Sequence, residues 1–283
     1  MATTKNHLDR VVADDAIDEH GTITLSLSRV SDYETCGARY ELKHRRDDIV
    51  ERVDDPEAAF GNAVHAALDD WHRRGELDGA LGALEREWDR QAFAPLSAAD
   101  PAEPGRWLDA AQETVRRYAA DDRYPRERTL ATEQTFDLEV EPGLRLRGSI
   151  DLLQITGDAF GVVDWKTGVN PPTGPQTYGN LQLTLYAWAA ERLLGSEPAW
   201  VALDYVVPAA PITVAASQLD VDGALARVRK AAAGIRAEAF APQPSGWACG
   251  RCPVRDACAD AVGAPAAPPR AADKFALVTS QRR

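Results

Sequence analysis

Between Phe60 and Arg74, apolar residues fall at Phe60, Val64, Ala67, Leu68 and Trp71, the spacing that gathers one face of a helix. A similar period runs from Ser26 or Ser28, either a suitable N-cap, to about Arg46 and predicts one helix containing Cys36. Further helices are predicted over about 78–93 and 103–121, with Pro101 and Pro104 marking the break between them. The pattern then shortens. Leu130 to Val140, Leu144 to Ile155 and Phe160 to Lys166 are alternating or β-branched runs separated by Pro142-Gly143 and Gly157-Asp158, which predicts a three-stranded meander. After a loop at Gly168–Gly174, a helix from about Tyr178 to Leu194 is stopped by Gly195 and Pro198. Strands over about 200–207 and 211–216 and a helix over about 219–239 follow.

This order predicts an α/β protein with a helical insertion near its start. Residues 22–261 are expected to form a single domain, comprising a helical region at 60–122, a sheet core at 130–216 and a cysteine-bearing segment at 249–258. Polar residues 1–21 are expected to be a mobile N-terminal tail, and 262–283 a C-terminal tail whose Ala/Pro-rich opening crosses the surface without a core of its own.

Charge narrows the function classes. The 283 residues carry 32 basic and 44 acidic side chains, a net of −12, which argues against an indiscriminate electrostatic grip on nucleic acid. A local channel is still compatible. Arg39, Lys43, Arg45 and Arg46 cluster, as do Arg73 and Arg74, and Arg116, Arg117, Arg123, Arg126 and Arg128. Trp71, Trp107 or Tyr118 would supply stacking surfaces for single-stranded bases. No run approaches the ~18 apolar residues of a membrane span, and the first twenty residues lack the apolar core of a secretory signal. A cytoplasmic protein without membrane contact is expected.

The densest chemistry lies in Gly148-Ser149-Ile150-Asp151 and Val162-Val163-Asp164-Trp165-Lys166-Thr167-Gly168. Alternate strand residues share a face, so Asp164 and Lys166 point the same way, and Asp151 on the preceding strand is placed to join them. Two carboxylates beside an ammonium suit a hard divalent cation and a phosphate substrate. An exposed Asp–Lys pair with no function is the plainer alternative. His65, on the second predicted helix, is a candidate ligand or an ordinary structural histidine. Gln182 and Tyr186, four apart, share a helix face. Glu133 is a further acidic candidate, of a kind common on exposed strands.

Cys249-x-x-Cys252-x-x-x-x-x-Cys258, with Cys36 213 residues upstream of Cys249, offers four thiolates for zinc or an iron–sulfur cluster. Spacing alone leans towards zinc.

Taken in order, these motifs resemble the PD-(D/E)XK nuclease superfamily, specifically its RecB-like branch, over roughly residues 25–260. Leu25-Ser26-Leu27-Ser28 with Tyr33 and Cys36 resembles the opening segment, and Gly61-Asn62-Ala63-Val64-His65 the Gly-x-x-x-His motif. Gly148-Ser149-Ile150-Asp151 resembles Gly-x-Ile-Asp, Asp164-Trp165-Lys166-Thr167-Gly168 the Asp-Tyr-Lys-Thr-Gly core, and Gln182 with Tyr186 the Gln-x-x-x-Tyr motif. Trp165 stands where Tyr or Phe is usual, and Gly37 where Pro often follows the first cysteine.

The resemblance implies a restriction-endonuclease-like α/β core, with a mixed central sheet flanked by helices and a C-terminal iron–sulfur segment. It implies a Mg²⁺- or Mn²⁺-dependent deoxyribonuclease, an exonuclease on single-stranded DNA ends, in repair, recombination or CRISPR adaptation. His65, Asp151, Asp164 and the Trp165 carbonyl would hold the metal, Lys166 would serve the nucleophilic water, and Gln182 and Tyr186 would position Lys166 or DNA. It also implies that Cys36, Cys249, Cys252 and Cys258 hold a four-iron four-sulfur cluster, with zinc the lesser alternative. No Gly-x-x-x-x-Gly-Lys-Ser/Thr phosphate loop is present, so strand separation would come from a helicase, recombination or CRISPR-adaptation partner. Two rivals stand beside this reading: a non-cleaving iron–sulfur adaptor that binds DNA ends, and a zinc protein with an accidental acidic face.

Overall fold

The computed structural model describes residues 18, 20–49, 56–90, 103–172 and 177–263. The expected tails at 1–21 and 262–283 lie almost wholly outside these residues, as do 91–93 of the predicted 78–93 helix and 173–174 of the loop before the later helix. Among the described residues, no helix is long and apolar enough to cross a membrane.

The architecture is α/β, as expected, with a mixed six-stranded sheet. Its strands are β1 Ile23–Ser26, β2 Thr129–Glu141, β3 Leu144–Thr156, β4 Ala159–Lys166, β5 Trp200–Tyr205 and β6 Ala210–Ala215. Hydrogen-bonded order is β1-β3-β4-β5-β6, with β2 also pairing β3. The expected meander is β2–β3–β4. The β3–β4 pair is antiparallel, with Leu152 opposite Val163. β4 and β5 run parallel, Asp164 opposite Leu203, which requires a crossover helix between them. Contacts divide the chain into two compact units, each described by itself.

The first unit comprises residues up to 53, Phe136–Gly148 and 222–268. Here the single helix expected from Ser26 or Ser28 to about Arg46 is two, α1 Leu27–Thr35 and α2 Gly37–His44, preceded by the unpredicted strand β1. Ile23 and Leu25 are fully buried, and β1 pairs parallel with residues 144–147 of β3, a long-range partner that local pattern does not reveal. Ser26 remains the N-cap, its Oγ accepting from the Arg29 amide at 3.3 Å. The break between the two helices is at Cys36, whose φ of −170° and ψ of 123° are extended. α2 then begins on Gly37, where an added Cβ would stand 2.7 Å from the Phe240 carbonyl carbon. Only glycine fits so close a backbone approach. Phe240 also stacks on buried Tyr40, ring centroids 5.7 Å apart. Gly148, which opens the Gly-Ser-Ile-Asp run, is likewise pressed on a neighbour, since a Cβ there would meet the Phe136 ring at 2.7 Å.

The second unit, Asp54–Thr135 with Ser149–Val221, contains α3 Pro56–Arg74, α4 Leu77–Arg90 and α5 Glu103–Ala120. It also contains the crossover helix α6 Leu181–Leu194. α6 starts three residues later than expected because Asn180 is the cap, its Oδ1 accepting from the Leu183 amide at 2.8 Å; Gly195 closes it in the left-handed region, φ 74°. Phe60, Val64, Leu68, Leu84, Trp107, Val115, Leu152, Val163 and Trp165 share one buried core. That core corrects one expectation. Trp107 and Tyr118 are only 1% and 4% exposed and cannot stack on bases.

Candidate metal centre

The strand period and one backbone irregularity assemble the acidic centre. Ser149 and Asp151 lie two apart on β3, and Asp164 and Lys166 two apart on β4, so each pair shares a face. Glu133 on β2 has φ of 44°, a left-handed conformation rare for a residue with a side chain. Its carboxylate accepts the Ser149 hydroxyl at 2.8 Å. His65 projects from α3, and its Nδ1 lies 3.7 Å from Asp151 Oδ1 and 3.9 Å from Glu133 Oε1. Among the described residues, His65, Glu133 and Asp151 are the group whose ligand atoms all lie within 4.8 Å of one another, the spacing a single ion requires.

Trp165 ties these side chains to the backbone. Its amide donates to Asp151 Oδ2 at 2.7 Å, and its carbonyl accepts from His65 Nε2 at 3.0 Å. A carbonyl can only accept, so Nε2 carries the hydrogen and Nδ1 is the nitrogen turned to the carboxylates. Metal-binding histidines are oriented by such a bond from the second ring nitrogen.

Electrostatics follow from burial and crowding. Burial pushes the Asp151 carboxyl up to about 7; His65 opposes the rise, while Asp164 and Glu133 add to it. Burial alone would lower His65, but Asp151, Glu133 and Asp164 outweigh it and lift the imidazole to about 9. Lys166 is similarly held above the usual lysine value, the penalty of burial being exceeded by Asp164 and Asp151. Asp151, which resists ionisation, and Glu133, where burial is outweighed by His65 and Ser149 so that its carboxyl lies below the usual range, flank the imidazole and form a donor set that fits a divalent cation.

Lys166 sits 2.6 Å from Asp164 Oδ2 and donates to Gln182 Oε1 at 2.7 Å; Gln182 Nε2 in turn donates to the Tyr186 hydroxyl at 2.9 Å. The structure thus brings His65, Asp151, Asp164, Trp165, Lys166, Gln182 and Tyr186 together, and adds Glu133 to the ion-sized group. Asp164 is 1% exposed and sits on Lys166, outside that group of three. Sequence reasoning missed Ser149. It also missed a row behind Trp165: His72 stacks on the indole at 5.7 Å, and Tyr118 accepts the indole N–H at 3.1 Å. His72 lies seven residues from His65, on the same helix face, which is the signal that was available. Tyr118 left none.

The first unit holds the cysteines. Cys36, Cys249, Cys252 and Cys258 line one cavity together with Arg39 and Arg255. Cys36 Sγ accepts the Gln243 amide at 3.2 Å, and the short helix Gly246–Gly250 presents Cys249. Buried Asp32 anchors Arg39 at 2.6 Å and takes Lys43 and His44 on its other oxygen, at 3.2 and 2.8 Å. Burial raises the Cys252 thiol, whereas backbone donors, that of Val262 foremost, lower Cys249. The thiols are not drawn within 4.8 Å of one another in a group of three.

A buried carboxylate–lysine face on a mixed sheet, with a histidine supplied by a helix, defines a class of phosphodiester-cleaving folds. The sequence profile of the PD-(D/E)XK nuclease superfamily matches residues 24–259, and the chain belongs to that superfamily. No curated protein matches the chain.

Proposed function

We propose that this protein is a metal-dependent deoxyribonuclease that hydrolyses phosphodiester bonds from single-stranded DNA ends. The observation that carries the reading is the convergence of His65, Glu133 and Asp151 within 4.8 Å, beside the Asp164–Lys166 pair. His65 through Nδ1, Asp151 and Glu133 would hold Mg²⁺ or Mn²⁺, with Asp164 completing the acidic face. A bound cation would supply Lewis-acid stabilisation of the phosphate and acidify an attacking water. Lys166, kept an ammonium by its acidic neighbours, would donate to the water or to a phosphate oxygen as negative charge builds. Gln182, braced by Tyr186, would fix the direction of that donor. The Trp165 carbonyl would orient His65 rather than stand free.

The four thiols would hold a four-iron four-sulfur cluster. Both zinc and such a cluster use four thiolates; the order of the cysteines around the nuclease motifs supports the cluster, with zinc the lesser alternative. Arg39 and Arg255 would offset the thiolate charge. A cytoplasmic role in repair, recombination or CRISPR adaptation, with a helicase or adaptation partner to open the duplex, accords with the motifs.

The test is digestion of end-labelled single- and double-stranded DNA with Mg²⁺, Mn²⁺ or EDTA, wild type against Lys166→Ala, alongside iron and acid-labile sulfide assays. Metal-dependent loss of label from single strands, abolished by the substitution, is expected. Binding without cleavage under every condition would leave a non-cleaving adaptor instead.

A further inference from the structure

The Trp165 backbone bonds both Asp151 and His65, so the position of its peptide sets the spacing between two members of the ion-sized group. What fixes that peptide is its side chain. The indole N–H donates to Tyr118 Oη at 3.1 Å; Tyr118 Oη is 2.8 Å from His72 Nε2, and His72 Nδ1 is 2.7 Å from Thr129 Oγ1. The chain has one consistent direction. Tyr118 accepts from the indole and gives its own hydrogen to His72 Nε2, which leaves His72 neutral with the hydrogen on Nδ1, donated to Thr129. His72 also stacks on the indole, at 24° between planes, while His65 meets it edge-on at 83°. Trp165, Tyr118 and His72 are each less than 5% exposed, so the polar atoms of these three side chains depend on this pairing.

We infer that Tyr118 and His72 are positioning residues for the metal centre, acting through Trp165 to hold Asp151 and His65 at ligand spacing. The inference rests on the metal reading proposed above. It also accounts for tryptophan at a position where the superfamily resemblance leads one to expect tyrosine or phenylalanine: the indole N–H is the group that the Tyr118 oxygen receives.

The experiment is a Mn²⁺ titration of the full chain by electron paramagnetic resonance, on wild type, Tyr118→Phe, Trp165→Phe and the double variant, each also unfolded in urea to establish that it is folded. Tyr118→Phe should weaken Mn²⁺ binding about tenfold, the lower end for loss of a group that orients a ligand. In the Trp165→Phe background the same change should cost less than about twofold, because the indole donor is already gone. A residue that served folding alone would lower the urea midpoint and leave Mn²⁺ affinity unchanged. Thr129→Val, at the far end of the row, is the second measurement should Tyr118→Phe not fold, and should weaken binding about threefold. Unchanged Mn²⁺ affinity in folded variants overturns this inference and spares the metal reading; absence of Mn²⁺ binding in wild type overturns both.

Discussion

Lys166 Nζ lies 2.6 Å from Asp164 Oδ2, two residues away on the same strand, in an ion pair whose carboxylate is 1% exposed. Gln182 is the second anchor of the ammonium. Replacing Lys166 with Ala should lower metal-dependent DNA cleavage by about 10²-fold or more, the scale of a lost charge-stabilising donor. Gln182→Ala removes only the second anchor and should cost about tenfold. Mn²⁺ affinity should be unchanged in the Gln182 variant, as a titration beside the cleavage assay would establish.

Cation binding should release protons. In the metal-free protein His65 titrates at about 9 and Asp151 at about 7, both raised, and an ion needs each deprotonated. Apparent Mg²⁺ or Mn²⁺ affinity should therefore climb as pH rises from 6 to about 9. Stability without metal should move the other way. The raised His65 stabilises the fold fully below about 6.5, an effect lost as pH rises towards about 9. The raised Asp151 imposes a cost that is absent below about 4 and complete above about 7. Calorimetry in buffers of different ionisation enthalpy checks the proton release, and urea unfolding in EDTA across pH checks the stability.

Glu133 pits conformation against chemistry. Its φ of 44° carries a strain of about 1 kcal/mol that glycine would not feel. Glu133→Gly should therefore be more stable in EDTA than Glu133→Gln, by about that amount, while both bind Mn²⁺ more weakly than wild type. Paired urea titrations settle the first point and metal titration the second. Equal stability of the two variants would remove the strain argument.

Much of this was legible before any coordinates. The period-2 runs give β2, β3 and β4 to within about two residues, and motif order alone places His65, Asp151, Asp164 and Lys166 in one centre. Other features lie beyond local pattern. Ile23 and Leu25 form a strand only because β3 offers them a partner 121 residues away. Glu133 reads as an exposed strand glutamate until its positive φ turns it towards His65. Trp107 and Tyr118 have the composition of a stacking surface, but their helix faces the core. In each case long-range contact decides, and sequence spacing does not record it.

The break at Cys36 makes a demand on its neighbour. An alanine at Gly37 would drive a Cβ to within 2.7 Å of the Phe240 backbone, which no side-chain rotation relieves. Gly37→Ala should destabilise the fold by roughly 1–3 kcal/mol, as overpacking does, and should lower occupancy of the proposed iron–sulfur cluster. Urea unfolding and iron analysis of the purified protein test both.

The unit that carries the cysteines is drawn from three separated stretches of sequence, residues up to 53, Phe136–Gly148 and 222–268, whereas every residue of the acidic centre precedes Cys249. A ribosome delivering residues in order, at about 5–20 per second, releases the acidic centre whole while Cys249, Cys252 and Cys258 are still unmade. Until they emerge, Cys36 waits as a lone thiol on a nascent chain. Any prosthetic group shared by the four must therefore be installed after Cys258 has been made, later than every residue of the acidic centre.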